Sequence, residues 1–240
     1  MEPVRDRSAP RPLLPGRRCA VAGALLAACV AVVAALGVQF AGHTQPGRLD
    51  APIDAAFVSA LGGHPSVLLF LARFGDLPLV TAMTAALVLG CAAARRWRGA
   101  LLAAIAVPLA SGLTEGVLKH LVGRTMRGWL SYPSGHATST FVLATVSVIL
   151  LAGPSRLPVA VRRLLMAGAL LLAVAVPSAM VALRFHYFTD LVGGAAVGAG
   201  TALLTALLLD TACANGWVRA WATRLAPGRL SPAGPRSRGS

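Results

Sequence analysis

Apolar runs of membrane-crossing length alternate along this chain with short polar segments. The first run, residues 19–41, is uncharged and rich in Ala, Val and Leu, and it exceeds the roughly 20 residues that a spanning helix needs. Five further runs follow at residues 77–94, 99–118, 137–151, 164–183 and 191–209. The pattern predicts an all-α polytopic membrane protein in which six transmembrane helices form a bundle.

Two of the connecting segments stand out by composition. Residues 42–65 contain three prolines and predict a loop with a short helix at the membrane surface, near 53–61. Residues 120–135 are rich in Gly, Pro and aromatic side chains and predict an irregular loop.

The ends of the chain set the domain boundaries. Residues 1–18 and 213–240 are rich in Arg and Pro and predict disordered cytoplasmic tails, so residues 19–212 form the membrane domain. A cleaved signal peptide is the alternative for residues 19–41. That run is longer than the ~7–15-residue core of such peptides, which favours a retained helix.

Composition agrees with a membrane protein. Hydrophobic residues make up 56% of the chain and charged residues 12%, with a mean hydropathy of +0.72, whereas soluble domains carry about 25% charged residues. The net charge of +14 does not indicate nucleic-acid binding, because the arginines flank apolar runs instead of clustering on a soluble face. None of the four cysteines falls in a predicted outer loop, so no disulfide framework is implied.

The charges also predict an orientation. Six spans place both termini on one side, and 16 of the 22 Lys and Arg residues lie on that side. The positive-inside rule therefore predicts cytoplasmic termini in the cell membrane. The other six cations are Arg48, Arg73, Lys119, Arg124, Arg127 and Arg184.

Three polar clusters lie at the predicted outer ends of spans. The first contains Lys119, the single lysine of a chain that otherwise uses arginine, which indicates a place where a compact ammonium group matters. Glu115 lies four residues earlier on the same predicted helix face and can position Lys119. A residue at a helix end, reaching toward the interface, is the structural alternative.

The second cluster, Pro133-Ser134-Gly135-His136, opens the fourth span. A helix N-terminus presents unpaired N–H groups that suit a phosphate. Ser134 can donate through its hydroxyl, and Gly135 lets the backbone approach an anion. His136 can donate a proton near neutral pH. An N-cap serine beside an interfacial histidine is the alternative.

The third cluster runs from Arg184 to Asp190, between the fifth and sixth spans. If this segment is helical, His186 and Asp190 share one face. A carboxylate bonded to one imidazole nitrogen fixes the tautomer and leaves the other nitrogen able to attack. A helix-capping pair is the alternative.

Together, the three clusters resemble the motifs of the type 2 phosphatidic-acid phosphatase family, which is related to vanadium haloperoxidases. The resemblance covers about residues 50–210 and rests on Lys119, Pro133–His136 and the His186–Asp190 spacing. It implies a six-helix bundle with the active site at the outer surface of the membrane.

The chain departs from the family pattern at two arginines. Met126 stands where the first motif has its arginine, and Arg127 stands where it has proline, while Arg124 matches a second arginine of many members. Met180 stands at the arginine of the third motif. We expect Arg184 to replace that arginine, because residues four apart share a helix face.

The resemblance implies a mechanism with two histidines. His186 attacks phosphorus and forms a phosphohistidine, Asp190 holds His186, and His136 protonates the leaving group and then activates water. The implied phosphate-binding set has either Arg124 or Arg127 in the role of the first-motif arginine. Its members are Lys119, Arg124, Arg127, Ser134, Gly135 and Arg184.

We expect no metal and no cofactor. A metal ion would need a cluster of carboxylates, and only two of the eight acidic residues, Glu115 and Asp190, lie near the motifs in sequence. The expected partners are the membrane and a lipid phosphate, without nucleic acid; the sequence carries no signal of oligomeric state. Undecaprenyl, decaprenyl or other prenyl phosphates and diphosphates, phosphatidic acid and phosphatidylglycerophosphate all fit. The alternatives in function are a non-catalytic relative that binds lipid phosphates, favoured by Met180, and a small-solute transporter, which the uncharged span centres disfavour.

Overall fold

The computed structural model describes residues 12–155 and 157–214, and this part of the chain is almost entirely helical. The predicted tail segments 1–11 and 215–240 lie outside the described residues. The nine α-helices of the described part are α1 Arg17–Gln39, α2 Asp50–Leu61, α3 Pro65–Ala72, α4 Leu77–Ala93, α5 Trp97–Gly112, α6 Lys119–Val122, α7 Gly135–Ala152, α8 Val159–Ala182 and α9 Phe188–Ala214.

Five helical stretches are long and apolar enough to cross a membrane, which confirms an all-α polytopic membrane protein. They are α1, α5 with its continuation to Val122, α7, α8 and α9 to Cys213. Helix α4, the expected second span, has 17 residues and so a length of about 25 Å at 1.5 Å per residue, close to the hydrocarbon thickness.

Helices α7 and α9 form the centre of the bundle. Helix α7 contacts α4, α5, α8 and α9, and α9 also contacts α1. Gly194 and Gly198 make the α7–α9 approach possible, because a Cβ atom at either residue would lie 2.4 Å from a backbone oxygen of α7 or of its N-cap residue Ser134. Small residues four apart commonly allow such close packing of membrane helices.

The expected loop at 42–65 is largely helical. Helix α2 begins at Asp50, and α3 follows after a bend of 112°. A single 3-10 turn, Arg73–Gly75, joins α3 to α4. The predicted short surface helix is therefore present, but it is longer than expected and has a second helix after it.

Two further local structures were not predicted. Helix α5 passes into a π-helical stretch, Leu113–Leu118, a form that is frequent at functional sites. The loop that follows contains a hairpin of two short strands, β1 Thr125–Met126 and β2 Trp129–Leu130. Arg127 and Gly128 form its two-residue turn, both with positive φ, as the twist of a tight hairpin requires.

One end of the bundle is rich in arginine. Arg96, Arg162 and Arg18 donate hydrogen bonds to the C-terminal carbonyls of α7, at Leu150, Leu151 and Ala152 respectively. Cations are favourable at this end of a helix dipole.

The structured residues at the N-terminal side include some that precede the expected boundary at residue 19. The backbone N–H groups of Leu13 and Leu14 donate to the Asp210 carboxylate near the end of α9. Helix α1 then begins at Arg17. The two ends of the described chain are therefore tied together at the arginine-rich end.

Candidate active site

The three motif segments meet at the opposite end of the bundle, around the N-terminus of α7. The backbone N–H of Ser134 donates to the Asp190 carbonyl at 3.0 Å, so the second and third motifs are joined directly. The first motif approaches through Glu115, since a Cβ atom added at Gly135 would lie 2.4 Å from Glu115 Oε1 and 4.0 Å from Lys119 Nζ. Gly135 is thus the residue that lets the Glu115–Lys119 pair lie against α7.

Lys119 and Glu115 form the expected ion pair, with Nζ and Oε2 at 2.8 Å. The π-helical stretch contains Glu115 and ends one residue before Lys119. The Lys119 side chain is mostly buried and the Glu115 side chain is about half exposed. Lys119 therefore has a defined position beside the N-terminal N–H groups of α7, where an anion would be favourable.

Ser134 is the N-cap of α7 and is fully buried. Its Oγ accepts a hydrogen bond from the Ala137 N–H, which is the capping role that sequence reasoning had kept as the alternative. In this structure Ser134 therefore orders the helix N-terminus, and its hydroxyl is not open to a ligand.

His136 lies one residue into α7 and contacts a residue that sequence reasoning missed. Its Nε2 is 3.2 Å from Asp76 Oδ1, at the junction of α3 and α4. His186 and Lys119 both lie close enough to interact electrostatically with His136. The two histidines of the motifs are therefore brought together.

His186 is buried in the turn between α8 and α9, with Nδ1 at 3.6 Å from Asp190 Oδ2. The condition under which the two residues would share a helix face is not met, because α9 begins at Phe188 and His186 precedes it. The turn still brings them together, since Asp190 Oδ2 accepts from the Tyr187 N–H at 3.0 Å. Burial raises the pKa of the Tyr187 phenol, which stays neutral and donates to the Thr44 carbonyl.

Arg124 is fully buried, so the expectation that it binds phosphate is not supported. Its guanidinium pairs with Asp190 Oδ1 and with Asp50 Oδ2, each at 2.6 Å. The rings of Phe40 and Tyr187 lie against it, with centroids at 3.9 and 4.3 Å. In this structure Arg124 fixes the carboxylate of Asp190, which in turn faces His186.

Two acidic residues of α2 hold the start of α9. Asp50 Oδ1 accepts from the Thr189 N–H and Asp54 Oδ1 from the Phe188 N–H, both at 2.9 Å. Carboxylates are favourable at a helix N-terminus. The fold therefore brings to the motifs acidic residues that are distant from them in sequence.

The end of the bundle where the three motifs meet has five acidic residues among those described: Asp50, Asp54, Asp76, Glu115 and Asp190. Within residues 12–155 and 157–214, no group of three or more His, Cys, Asp and Glu has the arrangement of a metal site.

Arg127 and Arg184 are the exposed arginines of the motifs. Neither side chain has a hydrogen-bond partner among the described residues. Arg184 follows the end of α8 and has a φ of +60°, so the argument that it shares a helix face with Met180 is wrong. Met180 itself is buried.

Residues 99–212 match the family model of the PAP2 superfamily. This match confirms the resemblance to type 2 phosphatidic-acid phosphatases that the motifs indicated, and it supports a phosphoester hydrolase in general. No curated protein and no solved structure matches the chain significantly. The matched segment contains the three motifs but not Asp50, Asp54 or Asp76.

Proposed function

We propose, on the premise that residues 99–212 are a domain of the PAP2 superfamily, that this protein is a membrane phosphatase acting on a lipid phosphate or diphosphate. The observation that carries the proposal is a pair of histidines beside Lys119 at the N-terminus of α7, each facing a carboxylate. His136 Nε2 lies 3.2 Å from Asp76 Oδ1, and His186 Nδ1 lies 3.6 Å from Asp190 Oδ2. Two histidines in one site can serve as nucleophile and proton donor.

In the proposed reaction, His186 attacks phosphorus through Nε2, because Nδ1 faces Asp190. Asp190 accepts a hydrogen bond from Nδ1–H, and that proton stays on the imidazole, so the carboxylate stabilises the positive charge that develops there. His136 gives a proton to the leaving oxygen. It then removes a proton from the water that attacks the phosphohistidine.

The phosphate oxygens would be bound by Lys119, by the backbone N–H of Gly135 and by the exposed cations Arg184 and Arg127. Charge stabilisation of this kind is usually the largest catalytic contribution. Arg124 and Ser134 are assigned supporting roles, since both are buried beneath the site.

The substrate we propose is a lipid, because the site lies at one end of a bundle of apolar helices, where a headgroup would meet it. Prenyl phosphates, prenyl diphosphates and phosphatidic acid all present a phosphate headgroup in this way, and they differ in their apolar tails. A panel of these lipids, assayed with purified protein, ranks them by kcat/KM.

The first prediction tests the chemistry. Purified protein should release inorganic phosphate from lipid phosphates in excess EDTA, and vanadate should inhibit because it mimics five-coordinate phosphorus. His186→Ala should abolish turnover, and His136→Ala should lower it by about 10²–10⁴-fold, the usual contribution of a positioned proton donor.

His120→Ala is the matched control, since His120 is exposed and adjoins Lys119. It should leave turnover unchanged. Full activity of His186→Ala, or an absolute requirement for Mg²⁺, would exclude the mechanism. Lipid-phosphate binding without release by the parent protein would instead identify a non-catalytic relative, the second candidate, which the missing arginine at Met180 favours.

A further inference from the structure

The junction between α3 and α4 packs directly on the imidazole of His136. Gly75 is buried at this junction, and a Cβ atom added there would lie 2.4 Å from His136 Cδ2. The next residue, Asp76, has its Oδ1 at 3.2 Å from His136 Nε2. This segment precedes residues 99–212, so the contact comes from outside the part of the chain that matches the family model.

The carboxylate of Asp76 is not committed to another structural role in the described part of the chain. Asp76 occupies the N-cap position of α4 but makes no side-chain capping hydrogen bond. Lys119, the nearby ammonium group, is paired with Glu115 instead. The ion pair that the structure gives Asp76 is the one with His136.

The contact between Asp76 and His136 leaves one ring nitrogen of His136 for the substrate. Nε2 faces Asp76, and Nδ1 has no hydrogen-bond partner among residues 12–155 and 157–214. The other basic side chains that interact electrostatically with His136 are His186 and Lys119. A nearby cation destabilises a protonated imidazole, and a nearby carboxylate stabilises it. Asp76 therefore opposes the effect of the two basic neighbours on the protonated form of His136.

We propose that Asp76 is a positioning residue that holds His136 Nε2–H, so that Nδ1–H delivers its proton to the leaving oxygen. This inference rests on the proposed function. As the bond from phosphorus to the leaving oxygen breaks, the Nδ1 proton moves to that oxygen. When water then attacks the phosphohistidine, Nδ1 takes a proton from the water and the bond from phosphorus to His186 breaks, which restores both histidines.

The test compares two substrates that differ in their need for an acid. An alkyl phosphate has a poor leaving group and needs a proton, whereas p-nitrophenyl phosphate leaves as a stable anion without one. Asp76→Asn should lower kcat on the alkyl phosphate by about 10–100-fold, part of the ~10²–10⁴-fold that a positioned proton donor contributes. Its turnover of p-nitrophenyl phosphate should change less than about threefold, which also shows that the variant is folded.

Three further variants complete the experiment. His136→Ala should show the same selective loss, and the double variant Asp76→Asn/His136→Ala should be no slower than His136→Ala alone, because both changes remove one function. Asp76→Glu should recover part of the alkyl phosphate activity.

Each outcome has one meaning. An equal loss on both substrates in Asp76→Asn, whether from misfolding or from a structural role, overturns the assignment of Asp76. Additive losses in the double variant overturn it as well. If the parent protein hydrolyses neither substrate, the proposed function fails instead.

Discussion

Arg184 ends helix α8 in a backbone conformation that is unfavourable for arginine. The Arg184 N–H donates to the Val181 carbonyl and the Phe185 N–H to the Met180 carbonyl. In helices that end with this pair of bonds, the position occupied here by Arg184 is usually glycine. The φ of +60° costs a residue with a Cβ atom about 1–2 kcal/mol relative to glycine. Such strain is retained at sites where the side chain is needed, which agrees with a phosphate-binding role.

The prediction at this residue separates strain from function. Arg184→Gly should be more stable than Arg184→Ala by about 1 kcal/mol, because glycine adopts this φ without a steric penalty. Both variants should nevertheless lose about 1–3 kcal/mol of transition-state stabilisation, the range for a hydrogen bond to a charged group. Thermal unfolding in detergent and kcat/KM measure the two effects, and parental activity in Arg184→Gly would remove Arg184 from the site.

Contacts between residues close in sequence could be predicted, whereas contacts between residues distant in sequence could not. Glu115 and Lys119 are four residues apart on one helical stretch and pair as their spacing predicted. His186 and Asp190 are also four residues apart, but the turn before α9, and not a shared helix face, brings them together. Asp76 lies 60 residues from His136, and Asp50 lies 74 residues from Arg124. Only the packing of the helices brings such pairs into contact, and for this reason the burial of Arg124 was also missed.

At the scale of helices, five of the six predicted spans correspond to helices long and apolar enough to cross a membrane, because hydrophobic length is set by the membrane itself. The other predicted span, residues 77–94, is the shorter apolar helix α4. The described structure differs where backbone geometry decides the outcome. The bend between α2 and α3, the π-helical stretch after α5 and the β1–β2 hairpin all depend on contacts that periodicity does not encode. These three segments carry Asp50, Glu115 and Arg127.

The close packing of α7 on α9 predicts that a larger side chain at Gly198 destabilises the protein. Gly198→Val should lower the free energy of unfolding by about 1–3 kcal/mol or more, because the added side chain overlaps the backbone of α7. Activity should fall as well, since this contact aligns His136 with the third motif. Gly168→Ala in α8 is the control, as a Cβ atom there meets nothing within 4 Å; equal unfolding temperatures for the two variants would contradict the prediction.

At the scale of the whole molecule, the two ends of the bundle differ in charge. Five of the six acidic residues in the described part of the chain lie at the end with the motifs, and Asp210 lies at the other. The arginine-rich end includes Arg96 and Arg162, which pair with the last carbonyls of α7. We therefore propose that the arginine-rich end is cytoplasmic and that the active site faces outward.

The orientation is tested with single cysteines in a variant that lacks the four native ones. Trp129→Cys is on the exposed hairpin near the motifs, and Ser155→Cys is at the arginine-rich end. A membrane-impermeant maleimide added to intact cells should label the first and not the second. Labelling in the reverse pattern would mean that the protein has the opposite topology.

The buried contacts of Arg124 set an order of events during synthesis of the protein. Asp50 is made first, and Asp190 emerges 66 residues after Arg124. A ribosome that adds about 5–20 residues per second therefore needs roughly 3–13 s to supply the second carboxylate. Because that carboxylate lies at the start of α9, we expect His186 to lack a fixed position until α9 has entered the membrane, so the proposed phosphatase activity should appear only once α9 is in place.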